Sequence, residues 1–171
     1  MPISQELLQA YRETDYQVET MGGIKTLKID VPSDYLAVAH RMHHTDRSAY
    51  MTPYNPYSNA QPCEKNKEAY QNLWRDVKSK WAKGEGQGVH PSGNWEAEKS
   101  ILIFGIDYKD AIELAHKYKQ NAFLYAYKEN VPRLVTLDHE NQTFPYGYQS
   151  EYDDELLKVQ KIKVNFMPKG R

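Results

Sequence analysis

The sequence predicts a protein of the α+β or α/β class, a single-domain sandwich of helices on a mixed sheet of about five or six strands. The chain has 171 residues, the length of one ordinary domain. Helix-type and strand-type hydrophobic patterns alternate along residues 1–137, and two strand-helix-strand units favour right-handed parallel crossovers. The pattern weakens beyond that point. Residues 138–171 are therefore predicted to be a C-terminal extension, a loop to which residues 161–166 can add an edge strand.

Capping residues and apolar spacing indicate four helices, at residues 4–14, 34–44, 62–84 and 107–118. Ser4, Ser33 or Asp34, and Asp107 carry side chains that accept hydrogen bonds from the first backbone N–H groups of a helix. Pro62 suits a first helical turn. In each segment apolar residues recur at intervals of three and four, which gives the helix one face to bury.

Five strands are predicted, at residues 24–29, 48–52, 100–106, 122–127 and 132–137. Residues 100–106 are continuously apolar, as expected of a central strand covered on both faces. Pro53 stops the second strand because proline has no N–H to donate. The glycine-rich segment from Gly84 to Asn94 opens no helix, so it is not a phosphate-binding loop. We interpret it as a loop or irregular hairpin, able to act as a lid over Trp95 and Glu98.

Composition favours a soluble globular protein. Hydrophobic residues make up 40% of the chain and charged residues 26%, with a mean hydropathy of -0.83. No apolar run approaches the ~20 residues of a membrane helix, and the N-terminus shows no secretory signal. Cys63 is the single cysteine, so no internal disulfide is expected and the cytoplasm is the predicted location. Cys63 itself is interpreted as a small, partly buried residue.

The net charge of -1 argues against general nucleic-acid binding but leaves a local basic patch open. The C-terminus holds the basic residues Lys158, Lys161, Lys163, Lys169 and Arg171. Acidic neighbours favour a solvated tail there. His40 and His44 have the spacing of zinc ligands, but no motif supplies further ligands and a helix dipole favours histidines near its C-terminus. No metal site and no particular cofactor are therefore predicted.

Several polar motifs stand where apolar segments end. They are residues 10–16 (AYRETDY), residues 52–56 (TPYNP), Asn66, residues 95–100 (WEAEKS) and residues 120–122 (QNA). In this order the motifs resemble a bacterial family classified as a domain of unknown function, DUF3293. The resemblance implies a family but no activity. Pro53 departs from the alanine usual at that position, and residues after about Leu137 lie outside the resemblance.

We expect these motifs to meet at one polar site. Glu98 is the candidate catalytic residue, and the candidate ligand-binding residues are Thr52, Tyr54, Asn55, Asn66, Trp95, Gln120 and Asn121. If the strands of Thr52 and Glu98 are antiparallel neighbours the two residues come together, whereas parallel strands separate them. Hydroxyl, amide and carboxylate groups suit a ligand with amide or base edges, and aromatic rings offer stacking faces. The alternative is that these residues only specify turns, helix ends and the fold.

Two functional classes stay open. The first is a small-molecule binding protein for a nucleotide-like or amide-bearing ligand. A hydrolase or transferase activity would then use Glu98 as general acid or base. No nucleophile motif accompanies Glu98, so the sequence does not separate enzyme from binder. The alternative class is a regulatory interaction module that binds a protein or nucleic-acid partner through exposed tyrosines and the basic tail.

Overall fold

A computed structural model describes residues 3–137 of the chain. The described helices are α1 (Gln5–Glu13), α2 (Asp34–Met42), α3 (Cys63–Lys78) and α4 (Tyr108–Lys117). The described strands are β1 (Asp15–Thr20), β2 (Gly23–Leu27), β3 (Arg47–Met51), β4 (Ala82–Val89), β5 (Glu98–Phe104), β6 (Ala122–Tyr127) and β7 (Arg133–Thr136). The predicted C-terminal extension, its basic residues and its edge strand lie outside the described residues.

Local capping explains where two of the helices begin. Ser4 Oγ accepts from the N–H of Leu7, and Ser33 Oγ accepts from the N–H of Leu36, each at 3.1 Å. The third predicted cap differs, because the Asp107 side chain makes no cap hydrogen bond and accepts instead from Arg47 at 3.1 Å. Among residues 3–137, no helix combines the length and apolar character needed to cross a bilayer.

The seven described strands form one sheet in the order β2-β1-β4-β5-β3-β6-β7, and every neighbouring pair is antiparallel. The class is therefore α+β, while the predictions of a mixed sheet and of five or six strands are wrong. The crossover helices α3 and α4 do join parallel strands, but those strands are not neighbours. β5 lies between β3 and β4, and β3 lies between β5 and β6. The two strands that each helix connects are thus separated by one strand position, which an antiparallel strand occupies.

The two strands absent from the sequence prediction, β1 and β4, pair with each other. Of the two interpretations of the glycine-rich segment, a loop or an irregular hairpin, the hairpin is what the structure has, since β4 pairs along its length with the antiparallel β5. The interpretation of the segment as a loop or lid is wrong for residues 84–89, which are strand. Gly86 shows the reason: a Cβ there would lie 1.9 Å from the carbonyl oxygen of Gln17 on β1. The same gap lets the Tyr50 hydroxyl donate to that oxygen at 2.7 Å. Glycine here permits close strand approach.

Apolar side chains fill both sides of the sheet. On β5, Ile101 and Ile103 belong to a cluster with α3 and α4, while Leu102 and Phe104 belong to a cluster with α1 and α2. Successive side chains of a strand point to opposite faces, so β5 is buried on both. This confirms the prediction of a central, doubly covered strand at this point of the sequence. Its two ends carry polar residues, and one of those ends forms the site described below.

Candidate functional site

Antiparallel pairing of β3 with β5 brings Thr52 to the beginning of β5. Met51 pairs with Ile101 in the register of the two strands. Immediately beyond, the Thr52 hydroxyl donates to the carbonyl oxygen of Lys99 at 2.6 Å. The same hydroxyl accepts from the N–H of Tyr54 at 3.1 Å. Thr52 therefore fastens the loop after β3 to the strand that starts with Glu98.

The loop after β3 adopts an unusual backbone. Asn55, Tyr57 and Ser58 have positive φ angles of 50°, 53° and 64°. Left-handed conformations of this kind cost non-glycine residues on the order of 1 kcal/mol or more each. Buried Asn66 of α3 holds the loop through a reciprocal pair. Its side-chain oxygen accepts from the N–H of Asn55 at 2.9 Å, and its amide donates to Asn55 Oδ1 at 3.0 Å.

The Glu98 carboxylate is half-buried at the first position of β5. Asn55 Nδ2 donates to Glu98 Oε2 at 2.8 Å, and within residues 3–137 this is the only hydrogen bond that the Glu98 side chain makes. Burial raises the pKa of the Glu98 carboxyl group, and the bond from Asn55 opposes that rise only in part. The neighbouring Lys99 gives no compensation, because its ammonium lies over the ring of Tyr70, 5.4 Å from the centroid.

A second chain of hydrogen bonds runs beside Glu98. The Tyr11 hydroxyl lies 3.2 Å from Ser58 Oγ, and Asn121 Nδ2 donates to the same oxygen at 2.9 Å. Burial raises the pKa of Tyr11, and the charge of Glu98 contributes to the rise. The Tyr16 hydroxyl donates to the carbonyl oxygen of Tyr11 at 2.7 Å. Tyr11 and Ser58 are absent from the candidates chosen from sequence. Tyr11 belongs to the 10–16 motif, and Ser58 lies two residues after the 52–56 motif, so both had a signal in the sequence.

Gln120 and Asn66 use their amides within the protein. Gln120 is buried, and its Nε2 donates to the carbonyl oxygens of Tyr54 at 3.0 Å and Tyr118 at 3.1 Å. It thereby ties the end of α4 to the loop after β3. Asn66 makes the reciprocal pair with Asn55 described above. Both residues therefore position the loop, whereas the Glu98 carboxylate keeps capacity to accept further hydrogen bonds.

The aromatic candidates are placed differently from each other. Tyr54 is partly buried, and its pKa is raised by burial first and then by negative groups that include Glu98. Trp95 has 54% of its surface exposed, and its ring lies 4.7 Å from the His90 ring, centroid to centroid. His90 in turn contacts Glu13 at 3.1 Å. Tyr54 thus lies near the carboxylate, while Trp95 lies on the adjacent surface outside the hydrogen-bonded cluster.

An open cleft of about 700 Å³ lies at the opposite ends of β3 and β5. Its lining includes Arg41, His44, Asp46, Arg47 and Asp107. His40, also at its edge, is buried between Asn130 Oδ1 at 2.9 Å and Ser48 Oγ at 2.8 Å, and burial lowers its pKa. Among residues 3–137, no group of three or more histidine, cysteine or acidic residues is placed to hold a metal ion. This cleft contains none of the candidate site residues.

Comparisons with known proteins give one result. Neither the curated proteins nor the solved structures provide a significant match to this chain. A family model described as a protein of unknown function, DUF3293, matches residues 51–123. The matched segment contains all the candidate site residues, from Thr52 to Asn121, whereas the 10–16 motif lies before it. The resemblance seen in the motifs is therefore confirmed over residues 51–123, where this chain is similar to the DUF3293 family.

Proposed function

We propose that this chain binds a small molecule at Glu98, with the ligand presenting N–H donors such as those of an amide or a nucleobase edge. The observation that carries the proposal is the state of the Glu98 carboxylate. It is half-buried and receives one hydrogen bond, from Asn55. Buried carboxylates in proteins are normally paired or fully hydrogen-bonded. A carboxylate with remaining acceptor capacity is suited to receive donors from a ligand.

The surroundings of Glu98 support the same proposal, because two unfavourable features occur together there. The loop that supplies Asn55 contains three non-glycine residues in the left-handed region. The carboxylate that it contacts has a raised pKa caused by burial. Strained backbone and perturbed titratable groups concentrate at functional sites, although structural networks also produce them. Asn55 would orient the carboxylate, and Tyr11 and Tyr54 would border the ligand.

A reaction at this site would use Glu98 as the acid–base group. A carboxyl group with a raised pKa holds its proton closer to neutral pH and so serves as a general acid or base there. With Glu98 in this role, the proposal extends to hydrolase or transferase activity. The proposal includes a cytoplasmic location, which Cys63 supports as a free thiol. Cys63 is exposed, so the expectation that it is partly buried is wrong.

A second candidate is an interaction module. Two large aromatic side chains near the site are exposed, Trp95 by 54% and Tyr57 by 44%. Aromatic residues of this kind anchor protein interfaces. The basic tail that would complete such a surface lies outside the described residues. If this candidate is correct, Trp95→Ala weakens the capture of a macromolecule while Glu98→Gln leaves it unchanged.

A thermal-shift screen of nucleosides, nucleotides, amino acids and small amides tests the first candidate. A ligand at about one hundred times its dissociation constant stabilises the native protein by about 2.7 kcal/mol, which raises the melting temperature measurably. We expect Glu98→Gln and Asn55→Gly to abolish that rise. Glycine is used at position 55 because it accepts the φ of 50° found there.

The matched control is Glu113→Gln, which removes a carboxylate that is 60% exposed on α4. It should keep the ligand-induced rise in full. A rise that persists in Glu98→Gln would move the binding site away from β5. No rise with any compound would reject small-molecule binding and favour the interaction module.

A further inference from the structure

We infer that the ligand of the Glu98 site carries a positively charged nitrogen, as an ammonium, amidinium or guanidinium group that pairs with the carboxylate. This inference rests on the proposed function and narrows its ligand class. It follows from the charges around Glu98, from the neutral groups that border it and from the number of oxygen ligands available.

Glu98 has no counter-charge in the described part of the fold. Within residues 3–137, no lysine, arginine or histidine side chain forms an ion pair with it. Two basic groups of the fold pair with other carboxylates. Lys28 contacts Asp15 at 3.0 Å, and the His90 imidazole contacts Glu13 at 3.1 Å. Lys99 follows Glu98 on the strand, so its side chain points to the other face of the sheet and lies over Tyr70.

Neutral hydroxyl groups border the carboxylate instead. Burial raises the pKa of Tyr11, Tyr16 and Tyr54, and the charge of Glu98 adds to each rise, so those hydroxyls stay neutral. The charge of Glu96 acts on Tyr54 in the same direction. Glu96 and Glu98 thus both act as negative charges on Tyr54. Tyrosine side chains also exclude water and attract organic cations through their ring faces.

The oxygen ligands at the site favour an organic cation over a metal ion. Calcium and magnesium require about six oxygen ligands, which the protein normally provides through several carboxylates and carbonyls. Among residues 3–137, no group of three or more histidine, cysteine or acidic side chains is placed to hold a metal ion. A single carboxylate beside an amide is instead suited to a planar or tetrahedral nitrogen cation, which donates several hydrogen bonds at once. Charge-assisted hydrogen bonds are about twice as strong as neutral ones.

The experiment uses pairs of probes that differ in charge and hardly in shape: benzamidine against benzamide, and phenylguanidine against phenylurea. Binding to the full chain is measured by calorimetry in phosphate buffer free of organic amines. We expect the cation of each pair to bind at least about tenfold more tightly than its neutral partner. Glu98→Gln should remove that preference, and Glu113→Gln should retain it.

A pH titration of the wild-type chain gives a second measurement that does not depend on a variant. Both cations stay charged between about pH 5 and pH 8. A change in their affinity over this range therefore reflects protonation of a group on the protein. Burial raises the pKa of Glu98, and a cation binds its ionised form. Affinity for benzamidine should therefore increase as the pH rises through the raised pKa of Glu98, while affinity for benzamide should not.

The possible results distinguish this inference from the proposed function. Equal binding of cations and neutral partners, lost in Glu98→Gln, would overturn the cation inference and leave ligand binding at Glu98 in place. The cation inference would fail in the same way if only neutral compounds of the wider screen bound in a Glu98-dependent manner. Cation binding that is unchanged in Glu98→Gln would also overturn the inference. If neither the cations nor the wider screen bind, both the inference and the proposed function fail.

Discussion

At the scale of single residues, the protonation of Glu98 has a defined effect on stability. Its folded-state pKa is raised by burial above the ordinary value of 4.5. The folded chain therefore binds more protons than the unfolded chain between pH 4.5 and that raised pKa. Stability is lowest, as far as Glu98 is concerned, above the raised pKa. It increases as the pH falls, and the gain is complete once the pH is below 4.5.

Glu98→Gln should consequently raise the melting temperature at pH 7.5, because the variant keeps an acceptor for Asn55 and removes a poorly solvated charge. The difference from wild type should shrink as the pH approaches 4.5, where the wild-type side chain is also neutral. Thermal unfolding of the wild type and the variant between pH 4.5 and pH 7.5 measures this difference in melting temperature. Glu113→Gln serves as the exposed control. If Glu98→Gln lowered the melting temperature by many degrees at pH 7.5, Glu98 would be a structural residue.

At the scale of secondary structure, the pairing of β1 with β4 depends on Gly86. The Cβ of an alanine at this position would lie 1.9 Å from the carbonyl oxygen of Gln17, and no side-chain rotation relieves a clash with backbone. The strands would have to separate, and the hydrogen bond from Tyr50 to the same oxygen would be lost. We expect Gly86→Ala to destabilise the fold by about 3 kcal/mol or more.

Gly84 on the same strand is the matched control. A Cβ there would lie 3.4 Å from Val18 Cγ1, which is an ordinary contact with a side chain. Gly84→Ala should change the free energy of unfolding by less than about 1 kcal/mol, because alanine also reduces the entropy of the unfolded chain. Urea unfolding of both variants gives the comparison. Similar values for the two would refute the role assigned to close approach at Gly86.

At the scale of the whole molecule, the described residues provide the layers on both sides of the sheet. The last described strand, β7, contributes Leu134 and Val135, one to each core cluster. Leu137 is also buried, and its N–H donates to the carbonyl oxygen of Asn121 at 3.0 Å. Both core clusters thus include residues from the end of the described segment. The domain boundary after residue 137 stays a prediction.

Truncation tests that boundary. We expect a chain ending at residue 137 to unfold cooperatively, with a free energy of unfolding within about 1 kcal/mol of the full chain. A chain ending at Tyr127 lacks β7 and the three buried aliphatic side chains of Leu134, Val135 and Leu137, each worth about 2 kcal/mol or more. It should fail to fold. Loss of cooperative unfolding in the chain that ends at residue 137 would show that the C-terminal segment completes the domain.

The helices and the central strands of this protein follow from local features of the sequence. Ser4 and Ser33 cap helices because their hydroxyls reach the nearby N–H groups, and residues 100–106 indicate a buried strand because they are apolar throughout. Such signals act between residues a few positions apart, so they can be read from the sequence without the tertiary structure. The motifs also indicated correctly that Thr52 and Glu98 stand at the ends of strands.

Only the tertiary structure decided which strands are neighbours. β1 and β4 are polar or rich in glycine, and they are strands because they pair with each other and with β2 and β5, which no local pattern in either segment reveals. Likewise, the contact of Asn55 with Glu98 depends on β3 and β5 lying side by side in antiparallel register. Strand order is set by the packing of segments distant in sequence. The proximity of the candidate residues is a consequence of that packing, whereas their chemical character was already present in the chain.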